Sequence, residues 1–175
     1  HYCVRGAVTP IPCASGTFGG STGLESAGQC EPCPQGHYCG LGSVQPQGCD
    51  RGSFSDSPGQ ALCTPCKAGY YQNSTSATSC YPCAKGHWCT ADTPIPCSEN
   101  TYNTNPLAHR VTNCTRCPER TSTLGVSGAV DIVACRCQKS FYLAPEGRDT
   151  SSDPACVDRC CTCPIGTDCS AGAVL

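Results

Sequence analysis

Residues 80–89 read CYPCAKGHWC, and residues 30–39 read CEPCPQGHYC. In both stretches a CxxC pair leads to a glycine three residues later and to another cysteine three residues after that glycine. Residues 163–169 repeat the second half as CPIGTDC, and His1-Tyr2-Cys3 has the form of a truncated copy. A pattern that recurs in this way predicts tandem small modules.

A second pattern, a cysteine followed by a small residue and an aromatic residue, begins at Cys13, Cys49, Cys66 and Cys97. A CxxC pair starts 14 or 17 residues after each of these cysteines. We therefore predict loops closed by disulfides, each worth about 3 kcal/mol through the lost entropy of the unfolded chain. Spacing does not prove connectivity. The predicted pairs are Cys13–Cys30, Cys49–Cys63, Cys66–Cys80 and Cys97–Cys114, with short bridges at Cys33–Cys39, Cys83–Cys89 and Cys163–Cys169.

Composition agrees with small modules rather than one packed core. Of 175 residues, 21 are Cys, three are Phe, one is Trp and none is Met. Disulfides then replace apolar burial. The predicted fold is an extended rod of disulfide-rich modules in tandem, with short antiparallel β ribbons and little helix. The predicted boundaries are 1–39 and 40–89 for the first two repeats, 90–117 for the third, and 118–175 for an altered module.

Cysteine at this density predicts an extracellular or cell-surface location, because disulfides persist in oxidising compartments. The net charge is −2 and no basic run occurs, so no nucleic-acid partner is expected. No apolar stretch is long enough for a membrane span. The chain opens at His1 without an initiator Met, and its two ends stand at matching points of the repeat. We expect a processed product or a segment of a longer protein.

Two cysteine-based activities are alternatives to structural disulfides. The spacing of Cys63, Cys66, Cys80 and Cys83 is close to that of a four-cysteine zinc ribbon. These four cysteines belong to a longer repeat that contains further cysteines, which favours disulfides over a zinc site. No metal site is therefore predicted. A redox CxxC normally opens a helix in an α/β pattern, and no helical periodicity is present.

No catalytic residue and no cofactor are predicted. The histidines are His1, His37, His87 and His109, and no acid or nucleophile recurs beside them. Three of them lie in or near the aromatic position before a cysteine. The simpler explanation of a histidine there is that its flat ring covers a disulfide.

Two N-x-[ST] sequences predict N-linked glycans, at Asn73 and at Asn113. Asn73 lies at the tip of the loop between Cys66 and Cys80, which are predicted to pair. The second sequon contains Cys114, whose disulfide could form before the sugar is added. Residues 74–79 and 121–127 are rich in Ser and Thr and could carry O-linked sugar.

The CxPC stretches of residues 30–39 and 80–89 resemble the ephrin-receptor-like cysteine-rich repeat, which is distantly similar to the tumour-necrosis-factor-receptor module. The resemblance covers residues 1 to about 117. Residues 161–170 resemble a segment that follows such repeats in large surface proteins of protists and algae, including flagellar-hair (mastigoneme) proteins. These resemblances imply an extended extracellular rod used for adhesion, ligand binding or assembly, without catalysis.

Beyond Cys117 the pattern changes. Cys135-Arg136-Cys137 followed by Phe141 and Tyr142 resembles the last loop of an epidermal-growth-factor-like module, with Ser140 at the usual glycine. This part suggests the pairs Cys117–Cys135 and Cys137–Cys156. Three cysteines, Cys3, Cys160 and Cys161, have no assigned partner.

Two functions are compatible with these features. The first is an extracellular structural protein, a disulfide-bonded subunit or segment of a surface fibre or filament that associates head to tail or with other surface proteins. The alternative is the ligand-binding or adhesive ectodomain stalk of a cell-surface receptor. The first is favoured because no loop is enriched in the Arg, Trp and Tyr residues of a binding hot spot.

Overall fold

The computed structural model describes residues 1–144, 156–157 and 160–163. The chain divides into two compact units. The first comprises His1–Pro82 and Cys89–Thr93, and the second comprises Cys83–Trp88 and the chain from Pro94 onward.

The first unit contains two-residue strands that pair as antiparallel ribbons in sequence order, β1 with β2, β3 with β4, β5 with β6 and β7 with β8. The strands are β1 Thr17–Phe18, β2 Glu31–Pro32, β3 His37–Tyr38, β4 Gln47–Gly48, β5 Ser53–Phe54, β6 Thr64–Pro65, β7 Tyr70–Tyr71 and β8 Tyr81–Pro82.

The strands from residue 87 onward form three further ribbons, β9 with β10, β11 with β12 and β13 with β14, and a three-stranded sheet in the order β15-β17-β16. They are β9 His87–Cys89, β10 Pro94–Pro96, β11 Thr101–Tyr102, β12 Thr115–Arg116, β13 Thr121–Ser122, β14 Arg136–Cys137, β15 Phe141–Leu143, β16 Cys156–Val157 and β17 Cys160–Thr162.

Helix is limited, in the described part of the chain, to single 3₁₀ turns that each end just before a cysteine. These turns are Ala27–Gln29, Val111–Asn113 and Ile132–Ala134. The predicted architecture of small disulfide-rich modules with short antiparallel ribbons is therefore confirmed. The four-module division at residues 39, 89 and 117 stays a prediction.

One local motif recurs along the described chain: a cysteine, two residues, a turn residue with positive φ, and then a strand. From here on we call each segment that begins at such a cysteine a repeat; these repeats are shorter than the segments predicted from the sequence. Repeats 1–8 begin at Cys13, Cys33, Cys49, Cys66, Cys83, Cys97, Cys117 and Cys137. The turn residues are Gly16, Gly36, Gly52, Gly69, Gly86, Asn100, Arg120 and Ser140.

Consecutive repeats within a unit are joined through the backbone of the turn residue. Between repeats 1 and 2, the Gly16 amide donates to the Cys39 carbonyl at 2.7 Å, and the Cys33 amide donates to the Gly16 carbonyl at 2.9 Å. A third bond runs from the Gly42 amide to the Cys13 carbonyl at 2.9 Å. All three bonds run between backbone groups and involve no side chain.

The second unit uses the same three bonds between repeats 5 and 6. The Gly86 amide donates to the Asn103 carbonyl at 2.9 Å, and the Cys97 amide donates to the Gly86 carbonyl at 2.8 Å. The Leu107 amide donates to the Cys83 carbonyl at 2.9 Å. Each repeat is thus positioned by its neighbour in sequence, which is the arrangement of a repeat protein.

The interior consists mainly of cysteine. Cys13, Cys33, Cys49 and Cys97 are fully buried, whereas aliphatic side chains such as Val133 lie mostly in solvent. A small apolar cluster of Tyr142, Ala144 and Cys161 lies in the second unit. Buried sulfur takes the place of the large apolar side chains that the composition lacks.

Candidate functional site

The disulfides are the chemically distinctive feature of the chain. Their Cα atoms are 5.6–5.9 Å apart. Most link the first cysteine of a repeat to the cysteine just before its second strand. These long bridges are Cys13–Cys30, Cys49–Cys63, Cys66–Cys80, Cys97–Cys114 and Cys117–Cys135. All five are pairs that the sequence pattern suggests.

Repeat 2 is closed differently, by the short bridge Cys33–Cys39. Repeat 5 has the same cysteine spacing, and both Cys83 and Cys89 are disulfide-bonded. Their mutual pairing stays a prediction. Cys163 is also disulfide-bonded, but Cys169, its predicted partner, lies outside the described residues.

The predicted pair Cys137–Cys156 is wrong, because Cys137 is bonded to Cys160. Cys160 lies on β17, the central strand of the three-stranded sheet, directly opposite Leu143 of β15. β16, which carries Cys156, lies on the far side of β17 and pairs Cys156 with Cys161 in register. The cysteine bonded to the buried Cys137 is therefore the one on the central strand, Cys160, and the two Cα atoms are 5.6 Å apart.

The other two cysteines without a predicted partner differ from each other. Cys161 is disulfide-bonded and buried. Cys3 is an exposed free thiol. The Cys3 amide donates to the Leu24 carbonyl at 2.8 Å, as the Cys39 amide does to the Gln60 carbonyl at 3.0 Å. Tyr2 and Ile11 form an isolated antiparallel bridge, so Cys3 follows this bridge as Cys39 follows β3.

We call the residue six positions after the first cysteine of a repeat the closing position, because its side chain helps to hold the loop. In repeat 2 this residue is Cys39, the partner of Cys33. Several repeats without a cysteine there bury a polar side chain instead. The buried polar residues at this position are Ser55, Gln72, Asn103 and Thr123.

Asn103 shows what a polar closing residue does. It is 1% exposed, and its side-chain amide donates to the carbonyls of His87 at 2.8 Å and Asn105 at 2.9 Å. Its side-chain oxygen accepts from the Asn105 amide at 3.0 Å. Thr123 plays a similar part, accepting from the Asn100 amide at 3.0 Å and donating to the Val126 carbonyl. A hydrogen-bonded clamp thus replaces the short bridge.

Sequence reasoning missed these clamps, because polar residues in loops are usually solvated. The available signal was their constant spacing of six residues from the first cysteine, which Cys39 and Cys89 share.

The zinc-ribbon alternative is excluded by covalent bonding. Cys63 is bonded to Cys49, and Cys66 is bonded to Cys80. A zinc ligand must be a thiolate, and a disulfide sulfur is not one. Within the described residues no group of three His, Cys, Asp or Glu side chains is placed to hold a metal ion.

Two histidines make the same local contact within their turns. The His37 Nδ1 lies 3.0 Å from the Gln35 carbonyl, and the His87 Nδ1 lies 3.2 Å from the Lys85 carbonyl. A carbonyl only accepts, so each contact is a hydrogen bond in the tautomer that carries its proton on Nδ1. Equivalent positions in two repeats indicate that the rings shape the turn. His109 is exposed.

One acidic side chain has a clear electrostatic perturbation. The Thr90 hydroxyl donates to the Asp92 carboxylate at 2.7 Å, and this bond lowers the pKa of Asp92. Asp92 therefore favours the ionised form and is poorly suited to act as a general acid.

The first unit contains a mostly apolar cavity of about 320 Å³. Phe54, Pro65 and Tyr70 contribute to its lining. Lys67 also lines it and places its Nζ 4.8 Å from the centroid of the Tyr70 ring. Aromatic, apolar and cationic groups together could bind a ligand on this surface.

Both predicted glycosylation sites are exposed but differ in their surroundings. Asn73 follows β7 in the loop closed by Cys66–Cys80. The Asn113 side-chain oxygen accepts from the Arg110 amide at 3.1 Å.

Comparison with known proteins is consistent with this architecture. Residues 52–93 match the family described as tyrosine-protein kinase ephrin type A/B receptor-like. No curated protein matches the sequence significantly. No helix in the described segments is long and apolar enough to cross a bilayer. The matched residues and the disulfides fit an extracellular cysteine-rich repeat of the receptor-like kind.

Proposed function

We propose that the chain is a structural segment of an extracellular surface fibre, in which copies associate head to tail. The observation that carries this proposal is the repeated set of backbone hydrogen bonds through the turn residues of consecutive repeats. Among repeats 1–4, and between repeats 5 and 6, each repeat offers its neighbour the same backbone donors and acceptors although the loop sequences differ. Contacts of this heterologous kind extend into filaments when they do not close into a ring.

Several further features support a structural role. Disulfides make each repeat stable with little apolar burial, which suits an extended extracellular scaffold. Residues 161–170 resemble a segment of flagellar-hair proteins. N-linked glycans at Asn73 and Asn113, with O-linked sugar in the Ser/Thr-rich stretches, belong to the same proposal.

The test is negative-stain electron microscopy of the secreted, non-reduced chain, together with a non-reducing sizing run. We expect regular filaments of high mass. The variant Cys3→Ser is the matched control, because it removes an exposed thiol and leaves the stacked backbone intact. Filaments that persist in this variant indicate non-covalent stacking, and monodisperse single chains in the unmodified protein would refute the proposal.

A second candidate function is ligand binding by the stalk of a receptor or adhesin. The observation that favours it is the cavity lined by Phe54, Pro65, Lys67 and Tyr70. The assay is adhesion of cells to beads that carry the chain. Loss of adhesion in Tyr70→Ala but not in Tyr81→Ala, an exposed tyrosine outside the cavity lining, would support this function. Equal adhesion of all three proteins would exclude a role for the cavity.

A further inference from the structure

The loop that carries Asn73 is held in a fixed conformation. Gln72, at the closing position of repeat 4, is 4% exposed. Its side-chain amide donates to the Ser79 carbonyl at 2.7 Å, and its side-chain oxygen accepts from the Ser74 amide at 2.9 Å. Both ends of the loop are thus tied to one buried side chain, and Asn73 lies beside this anchor.

Two tyrosines stand at the base of the same loop. Tyr71 of β7 is directly opposite Tyr81 of β8 in the ribbon register. Their ring centroids are 6.0 Å apart, with the planes tilted by 46°. Directly opposed residues of a ribbon share one face. Tyr81 is 54% exposed, so this face presents aromatic surface to solvent.

Asn73 follows Tyr71 by two residues, and the residue between them, Gln72, is buried. Side chains alternate along a strand, and continuing that alternation two residues past the end of β7 puts residues 71 and 73 on the same side. Because Gln72 occupies the inner side, Asn73 belongs with the tyrosines on the outer side. A sugar attached to Asn73 would start next to the two rings.

We propose that the first N-acetylglucosamine of a glycan on Asn73 packs its apolar face against the Tyr71–Tyr81 pair and stabilises the loop. This inference deepens the proposed extracellular role. It rests on that role in one respect, because the chain must pass through a secretory compartment to receive the sugar. The group that packs on the two rings is this sugar, because it is attached covalently to Asn73 Nδ2. Packing a carbohydrate face on an exposed aromatic surface removes apolar area of both partners from water.

The covalent step balances as an ordinary glycosyl transfer. The donor is an oligosaccharide linked to a lipid through a diphosphate. A bond forms between Asn73 Nδ2 and C1 of the first sugar, and the bond between C1 and the phosphate oxygen breaks. The lipid diphosphate leaves, and the amide nitrogen loses one proton. Thr75 supplies the hydroxyl residue that the sequon requires.

Asn113 provides an internal comparison. The residue two positions before it is Val111, in a 3₁₀ turn, so no aromatic ring stands at the corresponding place. Its side-chain oxygen already accepts from the Arg110 amide, and Cys114 is bonded to Cys97. A glycan at Asn113 is therefore expected to leave the stability of its loop nearly unchanged.

The test is a double-mutant cycle on protein secreted from a eukaryotic host, with glycans trimmed to the first N-acetylglucosamine. Thr75→Ala removes the sugar while retaining Asn73, and Tyr71→Ala removes one ring. The readout is hydrogen exchange at the Ser76 amide, which donates to the Cys49 carbonyl in the native loop. We expect the sugar to slow this exchange about fivefold when Tyr71 is present and to have no effect in Tyr71→Ala.

Two further variants protect the test against misfolding. Tyr71→Phe keeps the ring and should retain the slowing, whereas Tyr81→Ala, a change at an exposed position, should reduce it. An unoccupied Asn73 in the secreted protein would overturn the inference, as would equal slowing by the sugar with and without Tyr71. Either result leaves the filament proposal standing, because that proposal is tested by imaging.

Discussion

Replacing Asn103 with alanine tests the closing position directly. The substitution removes two hydrogen bonds that the side chain donates and one that it accepts. At about 1 kcal/mol net for each bond, the free energy of unfolding of the second unit should fall by about 3 kcal/mol. The lost bonds also leave the His87 carbonyl and the Asn105 amide without their partner.

The assay is urea unfolding of the disulfide-intact protein, followed by the fluorescence of Trp88. This is the single tryptophan of the chain, and it lies next to His87 in β9. With a slope of about 2 kcal/mol per M, the unfolding midpoint should drop by about 1.5 M.

Asn105→Ala is the matched control, because Asn105 is exposed and contributes to the clamp only through its backbone. Its free energy of unfolding should change by less than about 0.5 kcal/mol. Equal midpoints for Asn103→Ala and Asn105→Ala would refute the reasoning, since the closing side chain would then contribute nothing specific.

The remaining predictions concern a turn and a bridge. Gly36 and Gly59 both have positive φ, but only at Gly36 would an added Cβ overlap a neighbour, the Ser76 carbonyl oxygen. Gly59→Ala should lower the free energy of unfolding by about 1 kcal/mol, measured by thermal or urea unfolding. Gly36→Ala should lower it by at least about 1 kcal/mol more, because of the overlap. Equal losses for the two variants would argue against close stacking of repeats. Peptide mapping of non-reduced protein should recover Cys137 linked to Cys160, and a peptide that pairs Cys137 with another cysteine would contradict the sheet order described above.

The sequence predicts those features that depend on local spacing. A glycine three residues after a cysteine marks the turn in repeats 1–5, and the long bridges follow the same periodicity. The sequence pattern does not predict the turn at Arg120, because this residue has positive φ but is not glycine. The neighbouring repeat contacts this turn through the Gln138 amide, which donates to the Arg120 carbonyl at 2.9 Å.

The features that sequence reasoning missed depend on contacts distant along the chain. The bond between Cys137 and Cys160 depends on the order of three strands, which cysteine spacing does not encode. The burial of Gln72 and Asn103 likewise depends on the loop that folds over each of them. The outer aromatic face of the Asn73 loop follows from the pairing of Tyr71 with Tyr81, a register that the sequence alone left open.

The long bridges also determine how the chain responds to tension. The loop from Cys13 to Cys30 spans 17 residues and could extend to roughly 60 Å if free, yet its ends are held with Cα atoms 5.9 Å apart. Only Glu31 and Pro32 separate this closed loop from the next bridge, at Cys33. A pulling force across residues 13–39 is therefore transmitted through two sulfur–sulfur bonds and a two-residue connecting segment. While oxidised, residues 13–39 should behave as a nearly inextensible tether, and reduction should release the stored length one loop at a time.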